Sequence, residues 1–235
     1  MIRISKPTVA DLDKVVEVER ASWPDIGKGM VADPEKLRRR IERGLLYLAH
    51  QDEEPVGIMT YQLPNWTNAA TVAEILSEFG RRGRLPWQHV VQKYGFPKDW
   101  YEATDNGWLE RTHDPNSDVA FLVGVSVRKD VRGQGIVNQL IQNTLCDVKQ
   151  QGKKFAIAYG RLPQLATLAP EATLECAVRH LLHRKPDTDL PADYGARFHQ
   201  SNGATLVSVI PNSMDDPESL NFGFLPIYRI NGDAK

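Results

Sequence analysis

Val125-Ser126-Val127-Arg128-Lys129-Asp130-Val131-Arg132-Gly133-Gln134-Gly135-Ile136-Val137-Asn138-Gln139-Leu140-Ile141 is the stretch on which the reading of this chain turns. Its first residues complete an apolar run, Ala120 to Val127, that reads as a central strand. Arg128 to Val131 turns the chain. From Gly133 a helix is predicted, because Ile136, Val137, Leu140, Ile141, Leu145 and Val148 recur at helical spacing until Gly152. The first turn of a helix presents unpaired N–H groups and a partial positive charge. Glycines at that position remove Cβ atoms, so an anion can come close to the backbone. A diphosphate fits such a bend. Arg132 either adds a charged contact or covers the helix start.

Two other phosphate motifs fail on particular residues. A Walker loop needs GxxxxGK before Ser or Thr, which the segment lacks. A dinucleotide fingerprint needs a third glycine where Asn138 stands. It also needs an acidic residue about 20 positions on, where Gln150 to Phe155 offer none.

Working outward, the element order is mixed α/β around one sheet. Ile2 and Ile4 suit a short strand. Thr8 and Asp11 form a capping-box start for a helix with Leu12, Val15 and Val16. Asp33-Pro34-Glu35 opens a second helix with Leu37 and Ile41 on its apolar stripe. Leu45–His50 and Val56–Leu63 read as a hairpin. After the motif come a strand at Phe155–Tyr159, helices near Glu171–His183 and Ala192–Ser201, and strands at Thr205–Ile210 and Phe222–Ile230. Residues 64–118 interrupt this order as a long insertion holding four of the five tryptophans. One helix is expected in it, about Val72–Phe79, with turns elsewhere. An insertion of this length often forms a lid or binding loop. No repeat or linker divides residues 1–235, so one domain is expected.

The 235 residues carry a formal net charge of −1 and 41% hydrophobic residues, which fits a folded domain and gives no basic excess for nucleic acid. No run approaches the roughly 18 apolar residues of a membrane span, and the N-terminus lacks an apolar signal region. A cytoplasmic location is the expectation. Neither Cys146 nor Cys176 forms a CxxC pair. Cys176, His180 and His183 share a predicted helix face, but no fourth ligand is visible, and no metal is expected.

The segment Asp130-Val131-Arg132-Gly133-Gln134-Gly135 resembles the coenzyme A signature of the GNAT acyltransferase superfamily. That signature has Gln or Arg, two residues, Gly, any residue, then Gly or Ala. Asp130 departs at the first position. The resemblance implies a GNAT fold: an α/β (α+β) chain with a mixed central sheet, a splayed strand pair and helices on both faces. It implies acetyl-CoA or another acyl-CoA as co-substrate. The residues expected to hold it are Val125, Ser126, Val127, Arg132, Gly133, Gln134, Gly135, Ile136 and Val137, with the thioester in the opening beside Val123 to Val127. Two further runs are similar to a subgroup that includes GNAT domains fused to carbon–nitrogen hydrolases and GNAT-like loading domains of polyketide synthases. They are Trp100-x-x-x-Thr104-Asp105-Asn106-Gly107 with His113-Asp114-Pro115-Asn116, and Arg197-Phe198-His199-x-x-x-Gly203 with Pro211-Asn212.

Many GNAT proteins use a tyrosine four residues before a glycine in the last helix, and His199 stands there. An imidazole titrates near neutrality, so it would protonate a thiolate or take a proton from an amine. No glutamate stands on the central strand to serve as base, which leaves His113, Asp114 and Asp105 of the insertion as candidates. Surface turn capping is the competing reading for each. Tyr159 is a further catalytic candidate set against a core role. Arg161 follows the splayed strand, and with Trp100 and Thr104 it is expected to touch substrate. The implied activity is acetyl transfer to a small-molecule amine. The rivals are transfer to a carrier-protein thiol, with or without malonyl decarboxylation, and a non-catalytic acyl-CoA sensor.

Overall fold

A computed structural model describes residues 1–23, 31–168, 171 and 173–230. Eight strands form one sheet. They are β1 (Ile2–Ser5), β2 (Leu46–Gln51), β3 (Glu54–Gln62), β4 (Val119–Val127), β5 (Phe155–Ala158), β6 (Gly160–Arg161), β7 (Ala204–Ile210) and β8 (Gly223–Arg229). The order is β1-β2-β3-β4-β5-β8-β6, and β7 also pairs with β8. β1 to β4 are antiparallel, while β4 and β5 run parallel.

Alternation along the strands sorts their side chains to two faces. Leu46, Leu48 and Ile58 pack with Val15 and Val18 of α1 (Leu12–Ser22) and Leu37 and Ile41 of α2 (Pro34–Glu42). Tyr47, Ala49 and Met59 face the other way, into the cluster holding Ile136, Leu140 and Ile141 of α6 (Ile136–Gln150). Helices therefore cover both faces. Each fully buried aliphatic side chain in these layers contributes about 1.5–3 kcal/mol.

The insertion is more helical than its turn-rich sequence suggests. It holds α3 (Ala69–Arg82), α4 (Trp87–Tyr94) and α5 (Trp100–Ala103). The stop and start signals explain this. The Asn68 side chain accepts from the Thr71 N–H, and Gly83 and Gly95 end α3 and α4 in left-handed conformations at φ +72° and +70°. The segment joins the main core. Trp66, Trp87, Phe121 and Tyr159 meet edge to face at centroid distances of 5.2 to 5.5 Å.

Past the motif lie the short α7 (Leu165–Leu168), α8 (Leu174–Leu182) and α9 (Tyr194–Ser201). α8 starts later than its sequence implies because Thr173 takes the capping position and accepts from the Cys176 N–H; Ala172 of the predicted start lies outside the described residues.

Two local devices open the sheet. The β3–β4 register passes from Thr60↔Gly124 to Tyr61↔Leu122, so Val123 is the extra residue of a bulge. On its other side β4 pairs with β5 only from Val119 to Leu122. β5 already pairs with β8 on its other edge, and beyond Ala158 the chain stays on β8, where Gly160 lies against Phe224. A Cβ on Gly160 would sit 2.5 Å from the Phe224 ring. A side chain there would block the approach, so this glycine lets β6 diverge from β4.

Candidate active site

The bend after β4 is tied from behind. The Arg132 guanidinium donates to the Ser22 and Val127 carbonyls, so its side chain fastens the bend to α1 and β4. Asp130 pairs with Arg128 at 2.9 Å and so lies among the charges of the turn. Gly133 and Gly135 take φ of +84° and +78°, the left-handed region that favours glycine. Gly135 is the N-cap of α6, so the helix begins at Ile136, later than the sequence implies. Among the described residues, Gln139 is the first of the helix whose N–H reaches a backbone carbonyl, that of Gly135 at 3.1 Å. The preceding amides lie beside the exposed residues Arg132, Gly133 and Gln134. Ile136 is buried beneath the bend and Val137 is half-buried.

A cavity of about 290 Å³ lies in the splay. Its floor is Val123 to Ser126 on one strand and Tyr159 to Arg161 on the other. Glu19, Trp23, Lys36 and Arg40 line one wall with Trp100 and Gly107 of the insertion; Tyr194, Phe198 and His199 line another. The Trp100 indole N–H donates to the carbonyl of the bulged Val123 at 2.9 Å, which joins the insertion to the opening. Trp23 bridges the mouth: its indole N–H donates to Ser126 Oγ at 3.0 Å, and its ring lies 5.3 Å from the Arg161 guanidinium carbon.

Of the expected substrate contacts, Trp100 and Arg161 line this cavity. Thr104 does not. It is fully buried, and its hydroxyl donates to the Trp100 carbonyl and accepts from the Gly107 N–H, which closes the end of α5. Of the nine expected coenzyme contacts, only Val125 and Ser126 line the cavity. Val127 is buried and does not line it, and Arg132 to Val137 form the bend.

The catalytic candidates separate clearly. His199 is in the lining, and its Nδ1 lies 2.6 Å from the Tyr228 hydroxyl. Burial pushes its pKa down to about 3, so the expectation of titration near neutrality fails and the imidazole is neutral at pH 7. The Tyr228 phenol is 2% exposed and has this nitrogen as its hydrogen-bond partner; with the phenol as donor, the imidazole proton is on Nε2. Tyr159 also lines the cavity, but its hydroxyl proton is committed to the Pro97 carbonyl at 2.7 Å. Burial raises that phenol well above its ordinary pKa, which suits packing rather than proton transfer. His113 lies outside the cavity. Its Nδ1 accepts from the Leu63 N–H at 3.1 Å, and burial lowers its pKa, so it fastens the insertion to the end of β3. Asp114 caps a turn through the Asn116 N–H, and Asp105 pairs with Arg111; neither lines the cavity. His180 turns inward to Asp193 at 2.9 Å, away from Cys176 and the exposed His183.

Glu19 is the carboxylate that sequence reasoning missed. It lies 6% exposed, with Oε2 accepting from the Ser126 hydroxyl at 2.6 Å and Oε1 from the Ala32 N–H at 3.0 Å. It lines the cavity from α1, while β4 carries no carboxylate. Its signal was a charge on the buried face of α1, beside Val15, Val18 and Ser22.

No family model matches the sequence. The chain is 29% identical over 128 residues to an uncharacterized N-acetyltransferase, YkwB, of Bacillus subtilis (strain 168), the match taking in 54% of this chain and 53% of that protein. It thus spans about half the length of that curated relative. Among solved structures, the loading GNATL domain of CurA from Lyngbya majuscula aligns with a TM-score of 0.69 at 19% identity, covering 98% of each chain. The GphF GNAT-like decarboxylase, in complex with isobutyryl-CoA, gives 0.69 at 18% identity, covering 97% of this chain and 100% of that one. Malonyl-CoA decarboxylase from Agrobacterium vitis gives 0.60 at 16% identity, covering 98% of this chain and 61% of that one. With the bulge at Val123, the divergence at Gly160 and the glycine bend before α6, these likenesses show that the chain has the GNAT fold.

Proposed function

We propose that the protein is an acyl-CoA-dependent acyltransferase, most simply an N-acetyltransferase. The observation that carries this reading is a bend with two left-handed glycines, Gly133 and Gly135, that follows directly on β4, the strand whose bulge and parting from β5 floor the cavity. The amides of that bend and the α6 dipole suit a pyrophosphate. The opening suits an extended pantetheine arm, with the thioester near the bulge at Val123. Solved neighbours described as complexes with isobutyryl-CoA and with coenzyme A support this choice of co-substrate.

In the simplest step an amine nitrogen attacks the thioester carbonyl carbon. The C–N bond forms, the C–S bond breaks, and the amine proton passes to Glu19 and from there to the departing coenzyme A thiolate, which returns Glu19 to its ionised form. Ser126 orients the Glu19 carboxylate. The neutral His199, carrying its proton on Nε2, is suited to donate to the carbonyl oxygen as negative charge develops there. It is not suited to act as an imidazolium acid.

A second reading is transfer to a carrier-protein thiol, or loss of CO2 from a malonyl thioester. The two neighbours at TM-score 0.69, a loading domain and a GNAT-like decarboxylase, favour it over the ribosomal-protein-S18-alanine N-acetyltransferase of Escherichia coli at 0.54. Incubating the protein with acetyl-CoA and malonyl-CoA, with and without a carrier protein, separates the readings by mass. An acylated amine supports the first. An acylated carrier or conversion of malonyl- to acetyl-thioester supports the second. Coenzyme binding with no change of mass on any amine or thiol would leave only the sensor.

A further inference from the structure

Two guanidinium groups line the cavity, and their surroundings differ. Arg161 donates to both oxygens of Asp216 at 2.7 Å and to Glu218 at 2.9 Å. Arg40 is 6% exposed and donates to a neutral group, the Gly107 carbonyl, at 2.7 Å. Its Nε is buried with no hydrogen-bond partner. Among the described residues, no carboxylate lies within ion-pair distance of it. Glu19 is the one whose field reaches it, and both Glu19 oxygens are engaged elsewhere. Burial accordingly pulls the Arg40 pKa down to about 10, the response of a cation that has lost water without gaining a counter-charge.

One helical turn earlier, Lys36 repeats the pattern. It lines the same cavity, its Nζ donates to the Asn106 carbonyl at 2.6 Å, and it sits 5.4 Å from the Trp108 ring centroid. Burial lowers its pKa too. The wall between them is close-fitting: a Cβ on Gly107 would lie 3.0 Å from the Arg40 guanidinium and 3.3 Å from the Trp100 ring. A desolvated guanidinium and a half-buried ammonium therefore line the same cavity, and their hydrogen bonds go to neutral carbonyls, with Asp33 and Asp105 acting on Lys36 without a direct bond.

We propose that this wall is a carboxylate subsite, in which Arg40, assisted by Lys36, pairs with a carboxylate carried by a substrate. The inference rests on the acyltransferase reading and deepens it by fixing the charge of what enters the cavity. A guanidinium stays charged at neutral pH and matches the planar fork of a carboxylate. Because Arg40 is already dehydrated, the incoming anion bears most of the remaining desolvation and supplies the missing charge. The carboxylate comes from one of two sources: the acyl group of a dicarboxylic monothioester, or an acceptor such as an amino acid.

The test has three stages. Calorimetric titration with coenzyme A alone checks the bend. No binding there overturns the acyltransferase reading and this subsite with it. With binding established, kcat/KM is compared for succinyl-CoA against acetyl-CoA, and for amino-acid acceptors against the amines made by removing their carboxylate. The wild type is expected to favour the carboxylate-bearing member of one pair by at least about tenfold, the worth of a charge-assisted hydrogen bond. The pair that shows the preference names the source. Arg40→Gln is expected to lower that ratio by at least about tenfold and Lys36→Met by about threefold. Lys36 is only half-buried, so Lys36→Met carries the test should Arg40→Gln fail to fold. Equal rates within both pairs in the wild type, or a preference that both variants leave untouched, overturn the subsite while leaving the coenzyme reading standing.

Discussion

Glu19 stands on the buried face of α1, held by the Ser126 hydroxyl and the Ala32 N–H. Replacement by Gln keeps the shape and most hydrogen bonding but removes the basic oxygen. Glu19→Gln is therefore expected to lower kcat by about a hundredfold or more while coenzyme affinity holds, read by steady-state kinetics and calorimetry. An unchanged kcat would make Glu19 a packing residue. His199, across the cavity, answers to pH in the opposite sense from a salt-bridged histidine. Unfolded, its imidazole titrates near 6.5; folded, it titrates near 3. As pH falls below about 6.5 the unfolded chain binds the proton first. The stability contributed by the neutral ring is complete above that pH and is lost toward pH 3, at about 1.4 kcal/mol per unit. Melting temperatures between pH 7 and 5 should fall less steeply in His199→Phe than in the wild type. Parallel curves would show that the ring is not held neutral.

Among the elements, the β4–bend–α6 unit was readable because its signals are local. A strand ending in Val125-Ser126-Val127, glycines at 133 and 135, and an apolar stripe through Leu140, Ile141, Leu145 and Val148 lie within one contiguous stretch. The helices of the insertion and the carboxylate of the site were not readable in that way. α3 and α4 depend on caps set among many turn-forming residues, and Glu19 meets Ser126 across 107 positions of sequence. The splay lies between these cases: Tyr159-Gly160-Arg161 marks it, but only Phe224 shows why a glycine is needed. The bend makes a direct prediction. Space is open around Gly133 and Gly135, so the cost of a side chain there comes from φ rather than from collision. Gly135→Ala should lose about 1–2 kcal/mol of stability. If the bend holds a pyrophosphate, it should also weaken coenzyme A by about tenfold or more, because a Cβ or a shifted amide disturbs the anion contact. A stability loss with unchanged coenzyme affinity would move the pyrophosphate elsewhere.

At the scale of the whole molecule, the cavity draws on distant parts of the chain: Glu19 and Arg40 near the start, Trp100 in the insertion, Ser126 on β4, and His199 and Met214 late in the sequence. A ligand seated there binds only when these segments are assembled, so its binding energy adds to the stability of all of them together. With coenzyme A at about a hundred times its Kd, mass action adds about 2.7 kcal/mol. For a chain of this size each kcal/mol raises Tm by about 2–4 °C, so a rise of about 5–11 °C is expected. The shape of the melt carries the further information. If residues 1–230 unfold as one cooperative unit, a single transition moves intact to higher temperature. If the insertion or the α7–α9 region unfolds independently, calorimetry resolves two transitions and the coenzyme shifts only one, which would overturn the expectation of one domain.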